Sequence, residues 1–192
     1  MKYTVRLFLA VAFSGLFSFN AYSQEISKRF KTHGGMIGYG KAVNRNTDYQ
    51  IFYIAGDHSW SFSKNPKKRD FLGWYVEPQV NPARSSKGFE IELGVNLGLR
   101  NYIRLHDGFF LYQMLGSGPH YISAEVGRQA GGFIFSDNFA IGSFSRLKGN
   151  MFLNIQLRWR HVSNAGLKAP NGGIDSWNVL LGLSSLRTGI AK

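Results

Sequence analysis

The sequence predicts an all-β protein, an eight-stranded antiparallel β-barrel of the membrane-spanning kind. Hydrophobicity alternates with period 2 over long stretches, the mark of strands with one apolar and one polar face. Eight such stretches are separated by clusters of turn-forming residues. An export signal precedes a chain with no later run of about twenty apolar residues, so any membrane crossing is left to strands closed into a barrel.

The export signal comes first in the chain. Lys2 and Arg6 precede an apolar run from Leu7 to Phe19, followed by Asn20-Ala21-Tyr22-Ser23. A basic start, a short apolar stretch and small residues at Ala21 and Ser23 form the pattern a signal peptidase reads. The run is shorter than the roughly 20 residues a spanning helix needs. Residues 1–23 are therefore expected to be a signal peptide, and 24–192 a single β-barrel domain. Hydrophobic residues make up 44% of the chain and aromatics 15%, too rich in core formers for a disordered tail. The absence of cysteine excludes a disulfide framework, a Cys-ligated zinc site and a thiol nucleophile. With 23 Lys and Arg against 11 Asp and Glu, the formal charge is +12. An exported basic chain is no candidate for binding nucleic acid; a charged lipid surface suits it instead.

Along the mature chain, strands are expected near Met36–Val43, Tyr49–Ser61 and Phe71–Gln79. From Phe89 to Arg100 the alternation is strict: Phe89, Ile91, Leu93, Val95, Leu97 and Leu99 against Glu90, Glu92, Gly94, Asn96, Gly98 and Arg100. Strands follow near Phe109–Leu115 and Asn138–Leu147, although the stretch from Gly116 to Asp137 has no clear period. Leu153, Ile155, Leu157 and Trp159 alternate with Asn154, Gln156, Arg158 and Arg160. Trp177, Val179, Leu181 and Leu183 alternate with Asn178, Gly182 and Ser184, Leu180 being the exception. Turns are expected at Asn44-Arg45-Asn46, Lys64-Asn65-Pro66-Lys67, Asn81-Pro82-Ala83, His106-Asp107-Gly108, Lys148-Gly149-Asn150 and Pro170-Asn171-Gly172-Gly173. Eight strands of about ten residues with their turns make the size of a small outer-membrane barrel.

The direction of the apolar face decides between two architectures. A soluble lipocalin-like barrel turns it inward around a ligand, and a membrane barrel turns it outward to lipid. Gly94, Gly98 and Gly182 share the polar face, as a tightly filled small interior requires. The pattern thus favours the membrane barrel, with Glu90 and Glu92 inside beside basic partners such as Arg158 or Arg160. Phe109, Phe110, Tyr112, Trp74 and Tyr75 suit interfacial girdles.

Most polar residues read as structural. His33, His58, His106 and His120 show neither metal-ligand spacing nor a shared strand face. Gly38-Tyr39-Gly40 is too short for a nucleotide fingerprint, and Lys64, Lys67, Lys68 and Arg69 form a solvated basic turn. The stretch His161-Val-Ser-Asn-Ala-Gly-Leu-Lys-Ala-Pro-Asn-Gly-Gly-Ile-Asp175 differs, for it holds a base, a hydroxyl nucleophile, amide donors and a carboxylate. His161 and Ser163 continue the odd-numbered apolar face of Leu153–Trp159, and Asp175 begins that of Trp177–Leu183. In a hairpin all three emerge on the apolar side at the loop end. Polar groups converging there cost solvation unless they have a use.

The run from Arg160 through His161, Ser163, Asn164, Gly166, Lys168, Pro170 and Asn171 to Gly173 closely resembles the signature of the PagL-type lipid A 3-O-deacylases, also known as acyloxyacyl hydrolases. The likeness is strongest from about Leu157 to Leu183, a hairpin (157–183) that the resemblance makes catalytic. It implies an eight-stranded outer-membrane barrel of Gram-negative type that hydrolyses the 3-O-linked acyl chain of lipid A without metal or cofactor. It further implies Ser163 as nucleophile, His161 as general base and Asp175 as orienting acid. Asn164, Gly166 and Asn171 match positions for oxyanion stabilisation or loop geometry, Asn171 being the firmer oxyanion candidate. The family usually carries Glu where this chain has Asp175. Lipid A, or lipopolysaccharide, is the implied partner, and a homo-oligomer is allowed. A barrel of the same fold with only a structural or lipid-binding role is the alternative, and a secreted lipocalin-like binder is a third reading.

Overall fold

The computed structural model describes residues 30–45, 47–63, 69–123 and 125–187. The expected signal peptide and most of the basic turn at 64–69 lie outside the described residues. Eight strands follow one another: β1 (Lys31–Ala42), β2 (Tyr49–Ser61), β3 (Asp70–Ser85), β4 (Gly88–His106), β5 (Phe109–Ile122), β6 (Gly132–Lys148), β7 (Met151–Ser163) and β8 (Ile174–Arg187). Each pairs antiparallel with its sequence neighbours, and β1 also pairs with β8, so the sheet closes into a barrel. Closure satisfies the backbone groups that an open edge would leave unpaired.

Parity sorts the side chains as the alternation requires. In β4, Glu90, Glu92, Asn96 and Arg100 are buried inside, whereas Phe89, Leu93, Leu97 and Leu99 are exposed on the outer wall. Inside, charge meets charge. Arg100 pairs with Asp57 at 2.7 Å, Arg158 grips both carboxylate oxygens of Glu77, and Arg160 pairs with Glu92. Arg160 is thus the expected partner of Glu92, and Arg158 belongs to Glu77, which the alternation did not single out. Buried ions of this kind persist because each is paired; an unpaired one would cost several kcal/mol.

Two apolar layers flank these ion pairs. One contains Tyr49, Ile51, Ile122, Ile134, Val162 and Ile174; the other contains Phe30, Tyr75, Tyr102, Phe110, Tyr112 and Phe144. The second layer corrects the girdle expectation for three residues. Tyr75, Phe110 and Tyr112 fill the interior because adjacent strand residues point to opposite faces, which leaves only Trp74 and Phe109 of that set on the outer wall. The inner glycines make room for such bulk: a Cβ at Gly94 would fall 2.2 Å from the ring of His120.

Several strands run further than expected. Asn81-Pro82-Ala83 is no turn; it lies within β3, and the chain reverses at Ser86-Lys87. The ladder between β3 and β4 is continuous through Pro78 and Pro82, whereas the β2–β3 ladder lapses opposite both. The missing proline N–H groups therefore fall on the β2 seam, and the strand survives. The unclear stretch resolves into the end of β5, the β5–β6 connection and the start of β6. Short turns at 107–108 and 149–150 serve the end that carries Lys31 and Arg187. The β1–β2, β5–β6 and β7–β8 connections lie at the other end.

Candidate active site

The β7–β8 hairpin keeps the odd-numbered residues on one face, in a register that pairs His161 with Asp175 and Trp159 with Trp177. Ser163 is the last residue of β7, opposite Phe135 of β6, and all three polar residues lie on the outer wall, half-buried. His161 Nδ1 is 2.7 Å from Asp175 Oδ1, with each side chain 32% exposed. Ser163 and His161 share this face two residues apart, with no hydrogen bond between them among the described residues. One row further along the strands, Trp159 stacks on His161 with ring centroids 6.3 Å apart. That row holds Phe139, Trp159 and Trp177 across three strands, an aromatic band of the kind that lies at a membrane interface.

The loop after Ser163 is held from within. Asn164 is buried; its Nδ2 donates to the Lys168 carbonyl at 2.6 Å, and its Oδ1 accepts from the Gly166 N–H. The Asn164 N–H donates in turn to Asn171 Oδ1 at 3.0 Å. Asn164 therefore organises the loop, and Gly166 supplies a left-handed residue (φ 82°) beside Ala165, which is also left-handed. Asn171 is exposed, with its Oδ1 committed to this loop and its Nδ2 in none of the described hydrogen bonds.

Three further residues bear on the site, and none was singled out for it in the sequence. Gly173 (φ 69°) passes under the catalytic imidazole candidate, where a Cβ would lie 2.6 Å from His161 Cε1. Gln129, fully buried in the 123–131 loop, accepts from the Gly173 N–H, while Arg128 and Ala130 exchange backbone hydrogen bonds with Gly172 and Pro170. Asn44, between β1 and β2, meets Asp175: its Nδ2 donates to Oδ2 at 2.9 Å, and its Oδ1 accepts the Asp175 N–H at 2.5 Å. Of these, Gly173 alone had a visible signal, as a glycine within the recognised run.

The other histidines lie elsewhere. His120 is sealed inside the barrel between Glu92 and Asn96. His33 and His58 do share a face, contrary to the sequence expectation: they are cross-strand partners on β1 and β2, Nδ1 to Nδ1 3.1 Å. Register between separate strands, which this pairing depends on, is invisible in either strand alone.

A family model described as Lipid A 3-O-deacylase (PagL) matches residues 17–184. No curated relative matches the chain significantly. Among solved structures, the outer membrane enzyme PagL is similar at 20% identity and TM-score 0.62, covering 78% of this chain and 97% of that one. The attachment invasion locus protein Ail of Yersinia pestis, in complex with the heparin analogue sucrose octasulfate, is similar at 10% identity and TM-score 0.52, with 83% and 99% covered. Neisserial surface protein A is similar at 11% and 0.52, with 82% and 96% covered. At such identities these structures speak for the barrel fold alone.

Proposed function

The chain belongs to the lipid A 3-O-deacylase family, a family of outer-membrane enzymes, and from that premise we propose that Ser163, His161 and Asp175 form its catalytic triad, a serine esterase site on the 157–183 hairpin. The observation that carries this reading is the 2.7 Å contact between His161 and Asp175 on the outer wall, with Ser163 on the same face. A serine hydroxyl is a poor nucleophile until a neighbouring imidazole takes its proton. His161 Nε2 is the base, and Asp175 at Nδ1 fixes the tautomer and stabilises the imidazolium that forms. Ser163 Oγ attacks the ester carbonyl, and the tetrahedral oxyanion is met by the Asn171 side-chain amide, a donor of a kind worth ~3 kcal/mol. Collapse expels the sugar 3-oxygen, which takes the proton from His161. Water, deprotonated by the same imidazole, then releases the fatty acid from Ser163.

Residues 1–23, read as a cleaved signal peptide, take the chain out of the cytosol, and in the outer membrane the loop end that bears the hairpin faces the lipid A leaflet. The ester then reaches the triad without leaving the membrane, and the basic surplus of the chain suits the phosphates of lipid A. Mass spectrometry of lipid A incubated with the refolded protein tests the reading. The expected product has lost one ester-linked acyl chain, and the Ser163→Ala protein gives none. Intact lipid A in both reactions would instead favour a non-catalytic barrel.

A further inference from the structure

Asp175 is gripped from two sides. Its Oδ1 faces His161, and its Oδ2 accepts from Asn44 Nδ2 at 2.9 Å, so each carboxylate oxygen has one partner. The backbone is fastened as well: the Asp175 N–H donates to Asn44 Oδ1, and its carbonyl accepts from the Val43 N–H at 2.8 Å. Asn44 stands 131 positions away in sequence and reaches Asp175 across the β1–β8 seam that closes the barrel.

A local role for Asn44 would look different. An Asn in a turn ordinarily folds its side chain onto its own backbone two residues on. Here the turn uses the Asn44 carbonyl, which accepts from the Thr47 N–H, and both side-chain polar atoms go to Asp175. We propose that Asn44 is a positioning residue for the triad acid, holding the short Asp175 side chain in the plane and at the distance that His161 needs. The proposal rests on the triad reading above. It also accounts for how an Asp serves where a Glu is usual: the shorter side chain is kept directed at the imidazole by a clamp from the loop that follows β1.

The test uses the full-length mature barrel refolded in detergent, with lipid A as substrate and the folded fraction read from heat-modifiable gel migration. Asn44→Ala should lower kcat about 10- to 100-fold, as loss of precise positioning does, and leave KM within two-fold. In an Asp175→Ala background the same change should cost nothing further, because the group it positions is gone. Asn44→Asp, nearly isosteric, covers the case in which the alanine variant does not fold. Its loss of kcat should deepen as pH rises, when a second carboxylate ionises against Asp175. An Asn44→Ala enzyme with wild-type kcat, or one that loses as much with Asp175 absent as present, would overturn the role. Ser163→Ala run in parallel separates the two claims. If it is dead while Asn44→Ala is unimpaired, only the Asn44 role falls; if it is active, the triad and the Asn44 role fall together.

Discussion

Among the described residues, two histidine–carboxylate pairs have equal length. His120 Nδ1 lies 2.7 Å from Glu92 Oε1, and His161 Nδ1 lies 2.7 Å from Asp175 Oδ1. The first pair is fully buried inside, where Glu92 also holds Arg160, Tyr49 and Asn81, and His120 Nε2 is taken by Asn96. The second is one-third exposed on the outer wall, next to Ser163 and beside a loop that offers amide donors. Bond length does not distinguish the structural pair from the one proposed to be catalytic. The difference lies in access, in an available hydroxyl, and in whether the far imidazole nitrogen is already occupied.

Substitutions that treat the two pairs differently sharpen this contrast, and the largest effect belongs to the proposed nucleophile. Ser163→Ala should remove deacylation almost entirely, with losses in kcat approaching the ~10⁶ seen for triad serines, while the barrel keeps its folded gel mobility. His161→Asn should behave likewise, since an amide accepts no proton near neutral pH. Asp175→Ala should cost up to ~10⁴ in turnover and Asp175→Glu should retain much of it; an alanine variant within a few-fold of wild type would reduce the site to a Ser–His dyad. The inner pair should answer in stability instead. Glu92→Leu strands Arg160, at about 3–5 kcal/mol, and the drop is read from the urea midpoint of the refolded barrel. Its folded fraction should turn over lipid A at the wild-type rate, and a matching loss of activity would break the division between the two regions. Smallest is Gly173→Ala: a methyl pressed against His161 in a left-handed backbone should lower kcat by about 10²-fold with lipid A still bound.

Much of this was legible in the alternation. The strict period from Phe89 to Arg100 predicted which residues face inward, and parity predicted that His161, Ser163 and Asp175 would share the apolar face at the hairpin's loop end; the pairing of His161 with Asp175 depends on register, which parity leaves open. Turn chemistry was less reliable. Asn81-Pro82-Ala83 contains residues that end strands elsewhere, yet Pro82 sits where the β2–β3 ladder lapses, and Asn81 points inward to Gln79 and Glu92. Between Gly116 and Asp137 the period was blurred because Gly116 and Gly118 leave no side chain to read. Their places are taken by the Tyr75 ring and the Val95 backbone. Asn44 and Gln129 could not be assigned at all, for their roles depend on the seam and on loop packing between distant segments. The triad roles themselves came from resemblance over the 160–173 run, since a His-x-Ser spacing alone is common.

The His161–Asp175 row is on the outside of a barrel whose inside is full: Arg100, Arg158, Arg160, Tyr75, Tyr102 and Phe144 are all buried there. No substrate needs to enter such an interior: if the row is the site of reaction, a lipid meets it sideways, by diffusing within its own leaflet. The quantity that governs encounter is then the mole fraction of substrate among neighbouring lipids, not its amount per volume of solution. At constant bulk lipid A, diluting the substrate with inert detergent or phospholipid should slow the reaction in proportion to its falling surface density.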